Sequence, residues 1–495
     1  MKKTTNQFCL DLLDLGVRHN KALVNLVMSM SSQKVTCPVG LSENPLYHYQ
    51  YSSISDAVAH LAYDDSGLER LEGLIQQRFL RDYWPGRGLM ILQTDKTSVV
   101  KAHSPTLADR SHVPISNTVV SGNKPVNIGY EYSFVNLHAG EGKWSLPLSS
   151  QRIGIDDKSG RVAAKQVRRL LEADRTILED IGLVVNTLDS GYANPAYLDE
   201  VKDLSQLVSV VRLRAGSKVW DRATADEQKI GKCPKIYGQC SYLIEQSGLK
   251  TYRNNPKSGQ PYQSYQTSIK DRRPDEQLAW SGVMGKDRQV TITLQRYCNM
   301  VLRSRDGCSM LDKPFDLLCV EVRDDKTNKL VFKQPMFVAV FGQKKEQLST
   351  RQIYDAYRKR YDIEPFFRFA KQNMALNGFQ TPDQQHLNNW MYVIILAVWL
   401  LYTARNDLTN RPKKWQRYLP SEQTKPNQTL SLAQSQKAAL MYLLTFDPKP
   451  FLPLKSKGGP GRQKGMHQPQ RTKYPYRIKN TQYKPNKTKT VKFKP

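Results

Sequence analysis

Between residues 89 and 213, short apolar runs of strand length are interleaved with stretches of helical period. Residues 89–92 (Leu-Met-Ile-Leu) close on Gln93-Thr94-Asp95, residues 183–185 (Leu-Val-Val) end near Asp189, and Leu207–Leu213 is a third such run. Runs this short, bounded by polar residues, predict buried strands. Residues 130–137 alternate and residues 144–148 follow a Gly-containing turn, which predicts a hairpin. Residues 162–180 carry helical periodicity. Strand, hairpin, helix, strand, helix, strand is a mixed α/β order.

The flanks differ. Residues 1–85 read as helical, with Phe8, Leu12, Leu13, then Ala57, Val58, Leu61, then Leu68, Leu71, Leu74, Ile75 at helical spacing. No clear helix-turn-helix stands out there, and a helical packing region without DNA contact fits the pattern as well as a DNA-binding one. Residues 214–335 show weak helical periodicity, frequent Gly and Pro, and β-prone runs such as 290–294 and 317–322, which predicts a mostly β insertion. The run 336–341 leads back into the α/β core, whose second part is expected over 336–450, with helices over 349–377 and 384–406. The apolar run 390–402 has thirteen residues, against about 20 for a membrane span, so a buried core helix is expected and no membrane partner. The expected division is thus 1–85, 86–213, 214–335, 336–450 and a tail over 451–495. The length of 495 residues suggests two to four domains.

Charge narrows the partners. The formal net charge is +29. The tail holds thirteen Lys/Arg and no Asp or Glu, so it is expected to be disordered in isolation. The first 450 residues still carry +16, which points to a polyanion; a basic surface for solubility, or for a ribosome or membrane surface, is the plainer alternative. Seven cysteines, no C-x-x-C and no zinc-site spacing imply free thiols and a cytoplasmic setting. Charges interrupt the N-terminal apolar run, so it does not read as a signal peptide.

The most specific stretch is Tyr357-x2-Arg360-x3-Glu364-x6-Lys371. On one straight helix these four would share an arc of roughly 60°, with Arg368 beside them. Pro365 complicates this, because proline disfavours α conformation in the residue before it. Either the helix kinks there or a new one begins with Pro365 in its first turn. Tyr-x2-Arg-x3-Glu-x6-Lys resembles the Y-R-E-K signature of a large group of bacterial insertion-sequence DDE transposases, the IS-four-like superfamily, at every defined position. Asp95-Lys96-Thr97 and Asp189-Ser190-Gly191-Tyr192 are similar to that family's first and second aspartate segments. The resemblance covers roughly residues 85–410. It implies a ribonuclease H-like core interrupted by the β insertion, with Asp95, Asp189 and Glu364 as catalytic carboxylates and metal ligands. It also implies cleavage at the terminal inverted repeats of the element and joining of the 3′-OH ends to target double-stranded DNA, by a homodimer on DNA, hence a nucleoid-associated protein.

Elementary chemistry suits that reading. Two divalent ions activate the nucleophile, neutralise charge at phosphorus and stabilise the leaving oxygen. Mg²⁺ prefers carboxylate oxygens, and two Mg²⁺, replaceable by Mn²⁺, are the expected cofactors. Tyr357, Arg360, Lys371 and Arg368 are expected to bind phosphates near the scissile bond. Each aspartate alone reads more readily as a turn or N-cap residue, and their coincidence with strand ends, in order before the signature, reverses that; Asp82, Glu179 and Asp180 are the competing carboxylates. By the same resemblance Trp280, or else Trp220, would stack an extruded base, against the ordinary use of tryptophan in a core. Arg462 and Lys464 lie in a Gly-Gly-Pro-Gly-Arg-Gln-Lys-Gly stretch similar to a minor-groove hook, with Gln463 where proline is usual; a generic basic arm is the simpler reading. A domesticated DNA-binding descendant and a structure-specific endonuclease on the same core are the rival functions.

Overall fold

The structure, a computed structural model, describes residues 4–15, 17–84, 88–115, 126–140, 143–173, 182–226, 236–244, 248–254, 261–285, 287–304, 307–409, 430–445, 465–467 and 470–478. The chain forms two compact units. The first comprises Met1–Arg87, Asp95–Asp180 and Tyr361–Pro495; the second comprises Gly88–Thr94 and Ile181–Arg360. The expected mixed α/β order is present.

The second unit is built on a sheet that starts with the first half of β1 (Leu89–Val100). β5 (Leu183–Leu188) pairs with it in parallel, and β6 (Leu207–Leu213) pairs in parallel with β5. Parallel strands are covered on both faces, which is why they read as near-continuous Val/Leu runs; Val184, Val185, Val208, Val210 and Val211 are all buried. β14 (Met336–Phe341) pairs antiparallel with β6, followed outward by β13 (Phe315–Asp324), β12 (Arg288–Met300) and β11 (Glu276–Met284). The predicted β insertion is therefore only partly a body of its own. Its last three strands extend the core sheet, and β7 (Lys218–Arg222), β8 (Tyr237–Tyr242), β10 (Pro261–Ser268) and β9 (Gly248–Asn254) make a second sheet in that order. The reason lies in β12, where Val290, Ile292 and Leu294 alternate with polar residues and present one apolar face. α8 (Thr350–Lys359), started by a Ser349/Gln352 capping box, packs Ile353, Tyr354, Ala356 and Tyr357 into the same core cluster. The α7 helix (Pro195–Val201) follows β5.

In the first unit β1 continues beside β3 (Val126–His138). β4 (Ser145–Ile153) closes the predicted hairpin on β3, and the short β2 (Ser111–Pro114) pairs with the start of β3. The α10 helix (Gln384–Ala404) is long and apolar enough to cross a membrane, but 89% of its apolar window is buried inside the protein. It packs on β4 and on the N-terminal helices α2 (Asn20–Ser32) and α4 (Tyr51–Ala59). Trp399 Nε1 donates to Pro147 O at 2.8 Å, and Asn389 Nδ2 donates to Val58 O and Ala62 O at 2.7 and 2.8 Å. Helices α1 (Thr5–Leu13), α3 (Val39–Ser42), α5 (Asp65–Asp82), α6 (Ser159–Ala173), α9 (Ile363–Asn373) and α11 (Leu432–Leu443) belong to the same unit.

One part of the tail departs from the expected disorder. Residues 470–478 lie against the segment before β2. Tyr474 N donates to Pro105 O at 2.8 Å, Arg477 N donates to Arg110 O at 2.7 Å, and the Arg477 guanidinium pairs with Asp109 and Asp156 at 2.7 and 3.1 Å. Backbone pairing at a strand edge plus two local carboxylates outweighs the low hydrophobicity of the segment. Arg462 and Lys464 lie outside the described residues, as do Glu179 and Asp180.

Gly129 on β3 has the carbonyl of Val99 on β1 where its Cβ would stand, and backbone cannot step aside there. Gly129→Ala is expected to lower unfolding free energy by about 1–3 kcal/mol in urea titrations; an unchanged midpoint would show that β1 and β3 do not approach this closely.

Candidate active site

The parallel ladder of β1 on β5 runs from Leu89↔Leu183 to Thr94↔Leu188. Asp95, still within β1, and Asp189, just past the end of β5, are the residues that follow this last registered pair. Asp189 holds the N-cap position of a 3-10 turn, Ser190–Tyr192, with extended backbone (φ −79°, ψ 172°), yet its side chain makes no capping hydrogen bond. The ordinary reason for an aspartate at a turn is thus missing, and its half-buried carboxylate is not used for capping. Asp95 is half-buried too, and Lys96 N donates to its Oδ1 at 2.8 Å. Lys96 itself pairs with Glu131 of β3 at 2.8 Å.

Glu364 is exposed in the first turn of α9. The signature does not lie on one straight helix. α8 ends at Lys359, a 3-10 turn covers Arg360–Asp362, and α9 begins at Ile363 with Pro365 in its first turn. There the missing N–H of proline costs no helical bond. The single arc therefore fails, but a shorter one survives within α9, where Glu364, Arg368 and Lys371 fall within roughly 60° of one another. The opposite face is buried. Phe366 and Phe367 each meet Phe134 of β3 with ring centroids 5.6 Å apart, and His138 Nδ1 at the end of β3 lies 3.5 Å from Asp362 Oδ2. The helix dipole favours a carboxylate at the position of Glu364. Arg368 is exposed; Lys371 is half-buried, and that burial holds its ammonium below the ordinary lysine range.

The other expected contacts divide by burial. Tyr357 is fully buried in the core of the second unit, and Arg360, 4% exposed, sets its guanidinium 5.7 Å from the Tyr357 ring. Trp280 is half-buried on β11, edge-on to Tyr354 at 5.6 Å, with the Arg351 guanidinium over its ring at 3.8 Å. Trp220, half-buried on β7, lies 5.9 Å from Tyr237. Asp82 closes α5 and is bonded by Arg81 at 3.0 Å.

Sequence reading missed Lys101. It is 1% exposed, and its Nζ donates to Asn377 O and Phe379 O at 2.9 and 2.6 Å. Val100 N donates to Asn377 Oδ1 at 3.2 Å. These bonds staple the end of β1 to the segment that leaves α9, so the elements bearing Asp95 and Glu364 are tied within one unit. Nothing local marks a lysine that bonds to carbonyls more than 270 residues away.

Among the described residues, no three His, Cys, Asp or Glu side chains are gathered to hold a metal ion. In donor chemistry the three carboxylates offer only hard oxygen ligands, which suit a divalent ion such as Mg²⁺ rather than a thiolate-preferring metal.

Comparison with known proteins supplies a family. The transposase DDE domain matches residues 106–400. That stretch contains Asp189, Glu364 and the whole signature, and begins after Asp95. None of the curated proteins compared matches the chain.

Burial lowers the Lys101 ammonium to about 8. The fold disfavours its charge, so at neutral pH the unfolded chain holds this proton more tightly. As pH rises from about 8 to the ordinary lysine value, the folded form loses the proton first and stability rises. Relative to Lys101→Met, the wild type is expected to gain up to about 3 kcal/mol over that window, measured by urea unfolding at a series of pH values. Parallel curves for the two proteins would contradict the assignment.

Proposed function

The chain belongs to the transposase DDE domain family, and on that premise we propose that it cuts DNA at the terminal inverted repeats of its own insertion sequence and joins the freed 3′-OH ends to target DNA. The observation that carries this reading is the pair of aspartates following Thr94↔Leu188, with the Asp189 side chain left out of the turn that it starts. The strands support a ribonuclease H-like core: β1 beside β3, with β4 antiparallel to β3, in the first unit, and parallel β1, β5, β6 in the second.

Asp95, Asp189 and Glu364 are the proposed catalytic carboxylates. DDE transposases use divalent metal ions, and here the three would hold Mg²⁺, two ions with Mn²⁺ able to replace them, which would supply activated water and charge neutralisation at phosphorus. The chain's own groups do the placing. Arg368 and Lys371 share the face of α9 that bears Glu364 and would bind the phosphates flanking the scissile bond. Lys371 is partly desolvated, so its attraction for a phosphate is less screened than that of a free surface lysine. Arg360 and Tyr357, both buried, would act by fixing the turn that leads into α9. Trp280, already faced by Arg351, offers an aromatic surface for an extruded base. A homodimer pairing two ends is the assembly proposed.

Cleavage of end-labelled terminal-repeat DNA tests the carboxylates. Asp95→Asn, Asp189→Asn and Glu364→Gln are each expected to abolish cutting in Mg²⁺ or Mn²⁺ while end binding is retained, because one neutralised acid barely alters a surface of net charge +29. Wild-type cutting by Asp189→Asn would overturn the assignment.

The tail makes a separate contribution. Residues 479–495 carry six lysines and no acid. Their deletion, leaving the docked stretch 470–478 in place, is expected to flatten the slope of log affinity against log salt by up to about 5, at about 0.9 per phosphate contact. Titration of terminal-repeat and scrambled duplexes at several salt concentrations measures this, and identical slopes would contradict it.

A further inference from the structure

Among the described residues, the interior of the second unit is mostly apolar, with a buried Arg296–Asp316–Lys345 ion cluster at one place and a chain of uncharged polar residues at another. Where β1 and β5 approach Asp95 and Asp189, the buried residues turn polar: Gln93, Thr94, Asn186 and Thr187 are all 0% exposed, and Ser209 of β6 is 2% exposed. They form a connected chain. Thr94 Oγ1 donates to Asn186 Oδ1 at 2.8 Å, Asn186 Nδ2 donates to Tyr197 Oη at 2.8 Å, and Tyr197 Oη meets Ser209 Oγ at 3.2 Å. Beside it, Thr187 Oγ1 donates to Leu92 O at 2.8 Å. Gln93 Nε2 donates to Lys359 O at the end of α8.

Such a chain costs desolvation that valines would not, and it offsets that cost only when every member is satisfied. What it adds is a fixed arrangement, because a hydrogen-bonded chain specifies distance and angle where apolar packing does not. Its placement shows what is fixed. Asn186 stands before the Asp189 turn and Tyr197 after it, so their bond closes the segment that carries Asp189. Asn194 Oδ1 accepts from Tyr197 N at 3.2 Å and starts α7 at the same point. The other side of Asn186 holds Thr94, whose next residue is Asp95.

We propose that Asn186, bridging Thr94 and Tyr197, is a positioning residue for DNA cleavage: its amide joins the backbone entering Asp95 to both ends of the segment bearing Asp189. The proposal rests on the reading of Asp95 and Asp189 as catalytic carboxylates. Loss of one bond leaves the strands paired but frees their ends. Small displacements of a reacting constellation cost up to about a hundredfold in rate, whereas DNA binding by surface cations is not affected.

The test uses the full-length protein and a duplex bearing the terminal repeat. Thr94→Val and Tyr197→Phe each remove one hydroxyl with little change of shape, and Thr94→Ser keeps the hydroxyl. Single-turnover cleavage, end affinity without divalent ions, and the rise in melting temperature on adding Mn²⁺ are measured for each. Thr94→Val and Tyr197→Phe are expected to cleave roughly tenfold or more slowly, to show a smaller Mn²⁺-induced rise, and to bind the end as the wild type does. Thr94→Ser is expected to recover most of the rate lost in Thr94→Val. If Thr94→Val does not fold, Tyr197→Phe decides alone. Unchanged cleavage, equal loss in Thr94→Ser and Thr94→Val, or a fall in melting temperature with an undiminished Mn²⁺ response would each overturn the positioning role. Wild-type protein that cleaves, with Asp95→Asn and Asp189→Asn cleaving as well, would instead overturn the underlying reading, and the proposal with it.

Discussion

Burial of the β1, β5 and β6 ladder on both faces is the interaction on which the second unit depends. Side chains alternate across a strand, so a slip of one residue would exchange the faces of every member. Here it would break the bond of Thr94 to Asn186 and set Val185 or Thr187 in the place of Asn186. The register is thus held twice, by apolar area and by a polar chain that fits one alignment only. Asp95 and Asp189 inherit their places from that register. Asp189 is thus placed without using its side chain to cap the turn that it starts.

Within the first unit, Glu364 is held by different means. Glu364 sits on a helix that begins afresh after a 3-10 turn, and Pro365 is tolerated because it falls where helical N–H groups have no partner. Its direction is set from the opposite face, by Phe366 and Phe367 against Phe134 and by Asp362 near His138. Lys101 then ties the exit of the helix to the end of β1. Rigid elements with locked neighbours suit the proposed phosphoryl transfer, since such chemistry is mostly placement.

Much of this was legible in the residues. Strand-length apolar runs located β1, β5 and β6, and Pro365 marked either a kink or a new helix, of which the structure has the second. The spacing of the signature carried the family, which the domain match over 106–400 supports. What was not legible is non-local. β11, β12 and β13 looked like a separate β body, because which sheet a strand joins depends on partners far along the chain. The arc joining Tyr357 to Lys371 assumed a straight helix, and the 3-10 turn at Arg360 breaks it. The tail looked structureless by composition, yet Arg477 finds Asp109 across 368 residues. Thr94 and Asn186 are individually ordinary polar residues; only the register shows that they meet.

The most direct measurement is anomalous scattering from a crystal of the protein grown with Mn²⁺ and a terminal-repeat duplex. If Asp95, Asp189 and Glu364 are the carboxylates of the reaction, the manganese peaks lie at ligand distance from these three side chains, and beside the scissile phosphate. Manganese held by other residues, or an Asp189 side chain turned back onto its own turn with no ion near it, would contradict that assignment.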